Sequence, residues 1–465
     1  MSRKFSFPSD DDPDMTVIRY EQFISGSSNS GYFDVEEFET IIEYYLRKGN
    51  TAESSTALEM GLKQHPNSNT LCIKRAKIYL MTGDALKAYR ILETIPERNE
   101  PEIFLLKLDA LLKLERDNEA NETCAMIFEQ LDSSEMDFIH LDVAHVFMNH
   151  RKYNAAIKVL KEGKKHNPRN IDLLFELAYC YEQSDNLNEA IAAQQSIVAI
   201  DPFVSEAWFN LGQIHLGMQN YTQALEAYDY VLAIDPNDSF ACYQKAHILT
   251  QLERYQEAID CYFDYELMVS DNKLVNNYIA ECYEKMEQYD KAIVHYKETL
   301  QSEPNNYEAL TGVSVCLLEQ EMYLDSIDYI KEAIKIHPEL PDAWVYLGEA
   351  YIGLDESGNA LRAYLNALER DPAQPETLMA VGNLYLESSD YQSALYYYMQ
   401  AYQQDENLEH IYLFFAICYY KTGNIELSLK YLQEAVDADE NAVALFLELC
   451  PDAEQLTNPD FDENI

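Results

Sequence analysis

Four cysteines, Cys180, Cys282, Cys316 and Cys418, recur at separations that are whole multiples of 34 residues. Thiolates that converge within a few ångströms would ligate a metal such as zinc. Cysteines set one or three whole repeats apart lie side by side along a stack instead, and read as small apolar side chains in helix–helix seams. His140, His145 and His150 are five residues apart. Zinc-binding histidine pairs on a helix are spaced i, i+4, which points both rings one way. A step of five turns each ring off the previous face, so these read as structural or surface histidines. From Arg151 to Arg169 seven basic residues stand against Glu162 alone. A nucleic-acid contact would need stacking aromatics among the charges. The stretch reads as a solvated helix face, or as a contact for an acidic surface on a second copy. No glycine-rich phosphate loop, GxSxG elbow, HExxH or Cys–His arrangement occurs. The 81 carboxylates give close pairs by chance. No catalytic residue, metal ligand or cofactor is assigned, and the chain reads as a non-enzyme.

Charge narrows the partners. The formal net charge is −47, from 34 basic and 81 acidic side chains. That excludes nonspecific binding to nucleic acid, which needs dense Lys and Arg, and docking to anionic membrane surfaces. The imbalance is concentrated: residues 1–170 carry 22 basic and 28 acidic side chains, and residues 171–465 carry 12 and 53. No run of 18 apolar residues predicts a membrane span, and the N-terminal residues lack a secretory apolar core. Nine cysteines without a CxxC pair are expected of a reducing, cytoplasmic setting.

The elements that must position any site are written in the period. Pro168, Pro202 and Pro236 are 34 residues apart, as are Pro304, Pro338 and Pro372, and Tyr221, Tyr255, Tyr289 and Tyr323 keep the same step. A fixed period of this length marks a repeat array in which each unit is one supersecondary element. With the proline at position 32, about twelve units run over 35–442. Each holds two stretches of helical apolar spacing with a break between. In the unit from Ser205, the residues Trp208, Leu211, Gly212 and His215 line a first helix. Asn220-Tyr221 is expected as the turn. Ala224, Tyr228, Val231 and Leu232 line a second helix, which ends before Pro236. Small residues at position 8 (Ala178, Gly212, Gly348, Gly382) and position 20 (Ala190, Ala224, Ala360) let helices approach closely. Large ones at position 24 (Tyr228, Tyr364, Tyr398) fill the space beside them.

Trp344-x2-Leu347-Gly348-x2-Tyr351, with Ala360, Tyr364, Ala367 and Pro372, resembles the tetratricopeptide repeat signature, as does Trp208-x2-Leu211-Gly212 with Ala224, Tyr228 and Pro236. The resemblance implies an all-α, right-handed superhelical solenoid with a C-terminal capping helix. Departures fall in the early units. The second unit ends early at Ile95-Pro96, and the third has a shortened turn at Glu115-Arg116-Asp117 with Ala120 two places early. Ser270, Glu406 and Glu440 replace the periodic proline without breaking the stack. The expected divisions are an irregular lead-in over 1–33 with a short helix near 15–25, less regular units over 34–170, regular units over 171–442, and a capping helix with acidic tail over 443–465. Asp34 with Glu37 reads as a capping box.

In this family ligands lie along first-helix positions of a concave wall. Carried over by position, the resemblance places Phe175, Tyr179, Glu182, Phe209, Gln213, Phe240, Tyr243, His247, Glu281, Glu349 and Asn383 in a partner-binding groove. Acids stand where the family's chaperone-tail clamp has Lys and Asn, and the row of Asn that serves glycosyltransferase substrates is absent. The reading is a noncatalytic scaffold whose acidic, aromatic-lined groove binds a basic or amphipathic peptide segment of another protein. The alternative is a homo-oligomeric structural or regulatory protein joined through its ends or convex face.

Overall fold

The computed structural model describes residues 15–27, 31–95, 101–130, 136–269, 275–439 and 441–456. Pro96, Ser270, Glu440, the first 14 residues and the acidic tail from Thr457 lie outside them. Among the described residues there are 26 α-helices and no strand. From Val35 to Ala438 these alternate as first and second members of antiparallel hairpins, and within 1–234 and within 235–465 each hairpin packs on the next. The chain divides into two compact blocks, 1–234 and 235–465.

Local chemistry sets each helix end. Ser68, Asn170, Asp238 and Asn306 stand at corresponding places, and each side chain accepts a hydrogen bond from the backbone N–H three residues on. Such a cap satisfies a donor that the first helical turn leaves unpaired, and contributes about 1 kcal/mol. Asp34 and Glu37 form both halves of the expected capping box. At the other end of the hairpin, the carboxylates of Asp201, Asp235 and Asp371 accept from the N–H two residues on, at 2.9, 3.0 and 2.9 Å. Asp405 makes the same 2.9 Å bond to Asn407 although Glu406 replaces the proline between them. The turn therefore rests on the aspartate as well as on the proline, and the array continues through it.

The turn inside each hairpin differs from the sequence expectation. Tyr221 is not in it: the Tyr221–Ile234 helix begins there, and Tyr255, Tyr289 and Tyr323 likewise begin second helices. The chain reverses one residue or more earlier, through a left-handed residue. After the Ser205–Gly217 helix, Gln219 has φ 59°, its N–H reaches Leu216 O at 2.9 Å, and the N–H of Asn220 reaches His215 O at 2.8 Å. This is the Schellman closure that satisfies the last carbonyls of a helix. Positive φ recurs every 34 residues from Arg151 through Asp185, Gln219, Glu253, Glu287, Glu321, Asp355 and Ser389 to Gly423. Earlier the step slips: Gly83 to Glu115 is 32 residues and Glu115 to Arg151 is 36, the structural form of the shortened third turn.

Several repeats lay a tyrosine ring of the second helix against a small residue of the first. A methyl group placed on Gly212 would lie 2.8 Å from the Tyr228 ring, and on Gly348 or Gly382 it would lie 2.4 Å from Tyr364 or Tyr398. Tyr228, Tyr262 and Tyr398 are fully buried, each stabilising the seam by roughly 1.5–3 kcal/mol. Trp208 stacks on Tyr230 at 4.1 Å and its Nε1–H donates to Pro202 O at 2.9 Å. Trp344 makes the corresponding bond to Pro338 O at 3.2 Å. Each tryptophan thus fastens its repeat to the turn of the preceding one. At the C-terminus the Ala442–Leu449 helix lays Phe446 into the cluster of Leu413, Ile417 and Leu432.

Candidate functional site

Within the first block, the expected groove residues lie on two successive first helices, Ile171–Gln183 and Ser205–Gly217. Phe175 is half-buried and packs against Leu174, Ile197 and Ala207. Phe209 is also half-buried, its ring edge-on to Tyr228 at 5.6 Å. Both serve the core as much as a surface. Tyr179 is 45% exposed and meets Tyr153 edge-on at 6.2 Å. Gln213 is exposed and Glu182 half-buried, with burial raising the Glu182 carboxyl above its ordinary range.

The second block holds the remaining residues. Glu281 and Glu349 are exposed to solvent but crowded by protein, and burial is the largest cause of the upward shift of each carboxyl. Like charge adds to it, from Glu284 and Glu308 at Glu281 and from Glu319 at Glu349. These side chains come from the Asn276–Lys285, Tyr307–Glu319 and Asp342–Gly353 helices, three first helices in succession. They form an acidic row. Tyr296 donates from its hydroxyl to Glu284 Oε2 at 2.8 Å, fixing one member of that row from the second helix of the same hairpin. Asn383 accepts from the Tyr398 hydroxyl at 2.7 Å, which commits its oxygen to the hairpin's own seam. His247 is half-buried.

Phe240 and Tyr243 lie three residues apart on the Ser239–Gln251 helix. They share a cavity of about 270 Å³ with Ser239, Tyr265 and Tyr278. Tyr243 stands 5.6 Å from Tyr265 at 53° and 6.0 Å from Tyr278 at 71°, and Tyr278 stacks on buried Tyr262 at 5.7 Å. Burial, and then a hydrogen bond with Tyr278, hold the Tyr243 hydroxyl in its protonated form. Tyr265 and Tyr278 were missed by position-based reasoning. Tyr265 lies on a second helix, and Tyr278 at a first-helix place outside the five that the resemblance carries over. A signal was present: 34-residue steps from Tyr265 lead through Thr299 to Ala333, Ala367, Ala401 and Ala435.

The chemistry-bearing residues of the sequence resolve as separate structural groups. Cys180, Cys282, Cys316 and Cys418 are buried. Burial pushes the Cys180, Cys316 and Cys418 thiols up to about 12, which disfavours the thiolate that metal binding or nucleophilic attack requires. His140 stacks on Phe128 at 4.5 Å, His145 meets Glu176 at 2.9 Å, and His150 meets Asp109 at 2.6 Å. Among the described residues no three His, Cys, Asp or Glu side chains are placed to hold a metal ion. Arg151, Lys152 and Lys158 help line a broad cleft of about 790 Å³ in the first block, where Lys152 is paired with Asp117 at 2.8 Å. Among the described residues no helix is long and apolar enough to cross a membrane.

A stack of helical hairpins with a 34-residue register, small residues under tyrosines and a helical cap defines a helical repeat protein. Tetratricopeptide repeat profiles match residues 148–213, 205–238, 241–262, 279–341, 345–409 and 385–449. These cover more than half of the chain, which belongs to the tetratricopeptide repeat family. Repeats of this kind mark the protein as an interaction scaffold. Comparison with curated proteins gives no match. Among solved structures, the C-terminal part of a TPR repeat-containing protein from Cytophaga hutchinsonii is similar at 16% identity and TM-score 0.43, over 51% of this chain and 98% of that one. A chain of the APC/C hetero-tetramer Cut9-Hcn1 is similar at 13% identity and TM-score 0.38, over 89% of this chain and 92% of that one. YrrB, described as a TPR protein with an unusual peptide-binding site, is similar at 19% identity and TM-score 0.35, over 43% and 98%.

Proposed function

We propose that the protein is a noncatalytic adaptor whose first-helix faces bind a basic or amphipathic segment of a partner protein. The observation that carries this reading is the acidic row of the second block. Glu281 and Glu349 are kept exposed while burial and neighbouring carboxylates oppose their ionisation. The like-charge part of that opposition, from Glu284 and Glu308 at Glu281 against Lys285 and from Glu319 at Glu349, is what an incoming cation relieves, so the face favours a basic partner. In the first block, Tyr179 supplies an exposed aromatic and Glu182 a carboxylate on the same helix, suited to an apolar anchor beside a basic one.

The test is affinity capture from source-cell lysate at 50 and 500 mM salt with mass spectrometry. Wild type is compared with Glu281→Gln/Glu349→Gln and with Phe175→Ala/Tyr179→Ala. A partner captured at low salt, weakened at high salt and reduced by the glutamine pair is the expected result. Capture that ignores both salt and the glutamine pair overturns the reading.

A further inference from the structure

One repeat breaks the packing rule that the others keep. At the place of Tyr265 the array elsewhere has Gly163, Ile197, Val231, Thr299, Ala333, Ala367, Ala401 and Ala435, and all eight are buried. A Cβ on Gly163 would lie 2.5 Å from Leu173 of the next first helix and 3.0 Å from His140 of its own hairpin, so the place suits a small or slender residue. Tyr265 is far larger and only half-buried. It stands in the last turn of the Tyr255–Met268 helix, and the cavity with Phe240, Tyr243 and Tyr278 opens there. A position held by a buried small or slender residue in those eight repeats is here a wall of a box. Phe240 forms the outer wall and is 72% exposed, a large apolar ring held in solvent.

We propose that this aromatic box is a specificity pocket for an arginine side chain of a partner polypeptide. The inference deepens the reading above and rests on it for the nature of the partner. Three features favour a cation over a plain apolar anchor. The rings of Tyr265 and Tyr278 are inclined to Tyr243 by 53° and 71°, so ring faces as well as edges border the space. The electron-rich faces attract a guanidinium, which also stacks flat on them. The local charge is negative as well: Asp264 and Glu266 flank Tyr265, and Glu281 lies one turn along the helix from Tyr278. The Tyr255–Met268 helix has no basic residue in its last turn, which leaves its negative end uncompensated beside the box. The opposite pole, at the start of the Ser239–Gln251 helix, is capped by the Asp238 carboxylate. Lys245 on that helix is two residues from Tyr243, about 200° around the axis.

The experiment uses the full chain and saturation-transfer NMR, with N-acetyl-arginine methylamide as the probe and N-acetyl-norleucine methylamide as its uncharged counterpart. The expected result is transfer to the arginine side chain in wild type, at least fivefold weaker transfer to norleucine, and at least fivefold loss of arginine transfer in Tyr265→Ala. Tyr265→Phe keeps the ring face and retains binding. The alanine variant installs the residue that four other repeats carry at this place, so folding is expected to survive; circular dichroism checks it. No transfer to arginine in wild type, equal transfer to norleucine, or undiminished transfer in Tyr265→Ala each overturns the proposal. The two readings fail separately. Loss of partner capture in Glu281→Gln/Glu349→Gln with no arginine binding removes the box and leaves the acidic face. Arginine binding with capture indifferent to salt and to those glutamines does the reverse.

Discussion

At the residue scale, the turn inside the hairpin shows a repeated compromise. Nine of its positive-φ residues, from Glu115 to Ser389, carry side chains in a region that costs L-residues about 1–2 kcal/mol. The Schellman bonds and the packing of both helices hold them there. Glycine relieves most of that strain while adding unfolded-state entropy, so Glu287→Gly is expected to stabilise by about 0.5–1 kcal/mol. Gly423 has φ 84° with open space where a Cβ would sit, so Gly423→Ala is expected to cost about 1 kcal/mol through backbone strain alone. Thermal melts of the two variants against wild type should move in opposite directions. A shift of the same sign in both would mean that packing, not φ, sets the turn.

At the scale of the element, the acidic row ties stability to pH. The Glu349 carboxyl is raised from its ordinary value of 4.5, first by burial and then by Glu319. The folded state therefore holds this proton more tightly than the unfolded chain does, and stability falls as pH rises through the raised value. The penalty is full above that value and absent below 4.5. Glu349→Gln removes the charge, so its melting temperature is expected to exceed that of wild type at pH 7, with the gain vanishing near pH 4. Melts at the two pH values check this, and a variant less stable than wild type at pH 7 would show that Glu349 contributes a contact worth more than its desolvation. The same element explains why the sequence reading of the groove was only partly informative. Position in the repeat assigned eleven residues to one groove, but it could not tell that Asn383 is committed to Tyr398 or that Phe175 and Phe209 are half-buried.

At the scale of the molecule, a stack of hairpins has no single core. Within each block the hairpins bury their own seams and pack on their neighbours, so stability is approximately a sum over repeats and seams. Damage should be local and decay along the chain. Gly382→Val would drive a branched side chain into the Tyr398 ring, where a Cβ alone would lie 2.4 Å away, and is expected to cost about 1–3 kcal/mol. Hydrogen exchange should speed up most in the Pro375–Glu387 and Tyr391–Gln404 helices, less in the hairpins on either side, and little within 1–234. Uniform loss of protection across both blocks would instead indicate one cooperative unit.

The periodic part of the protein is legible in its residues alone. A 34-residue recurrence of proline, tyrosine and small residues specifies helix, turn and seam together, because one backbone solution satisfies every repeat and the errors do not accumulate. The slip at Glu115 and the capping box at Asp34–Glu37 were legible for the same reason, being local in sequence. What a departure from the repeat does to the surface emerges only when the helices are packed. Tyr265, Tyr243 and Tyr278 come from three helices of two repeats, and whether a large residue there opens a space or fills one depends on how far the neighbouring helices part. Glu308 repels Glu281, and Glu319 repels Glu349, only because the stack sets three first helices side by side. Contacts of this kind follow from distance in space, to which composition and period are blind.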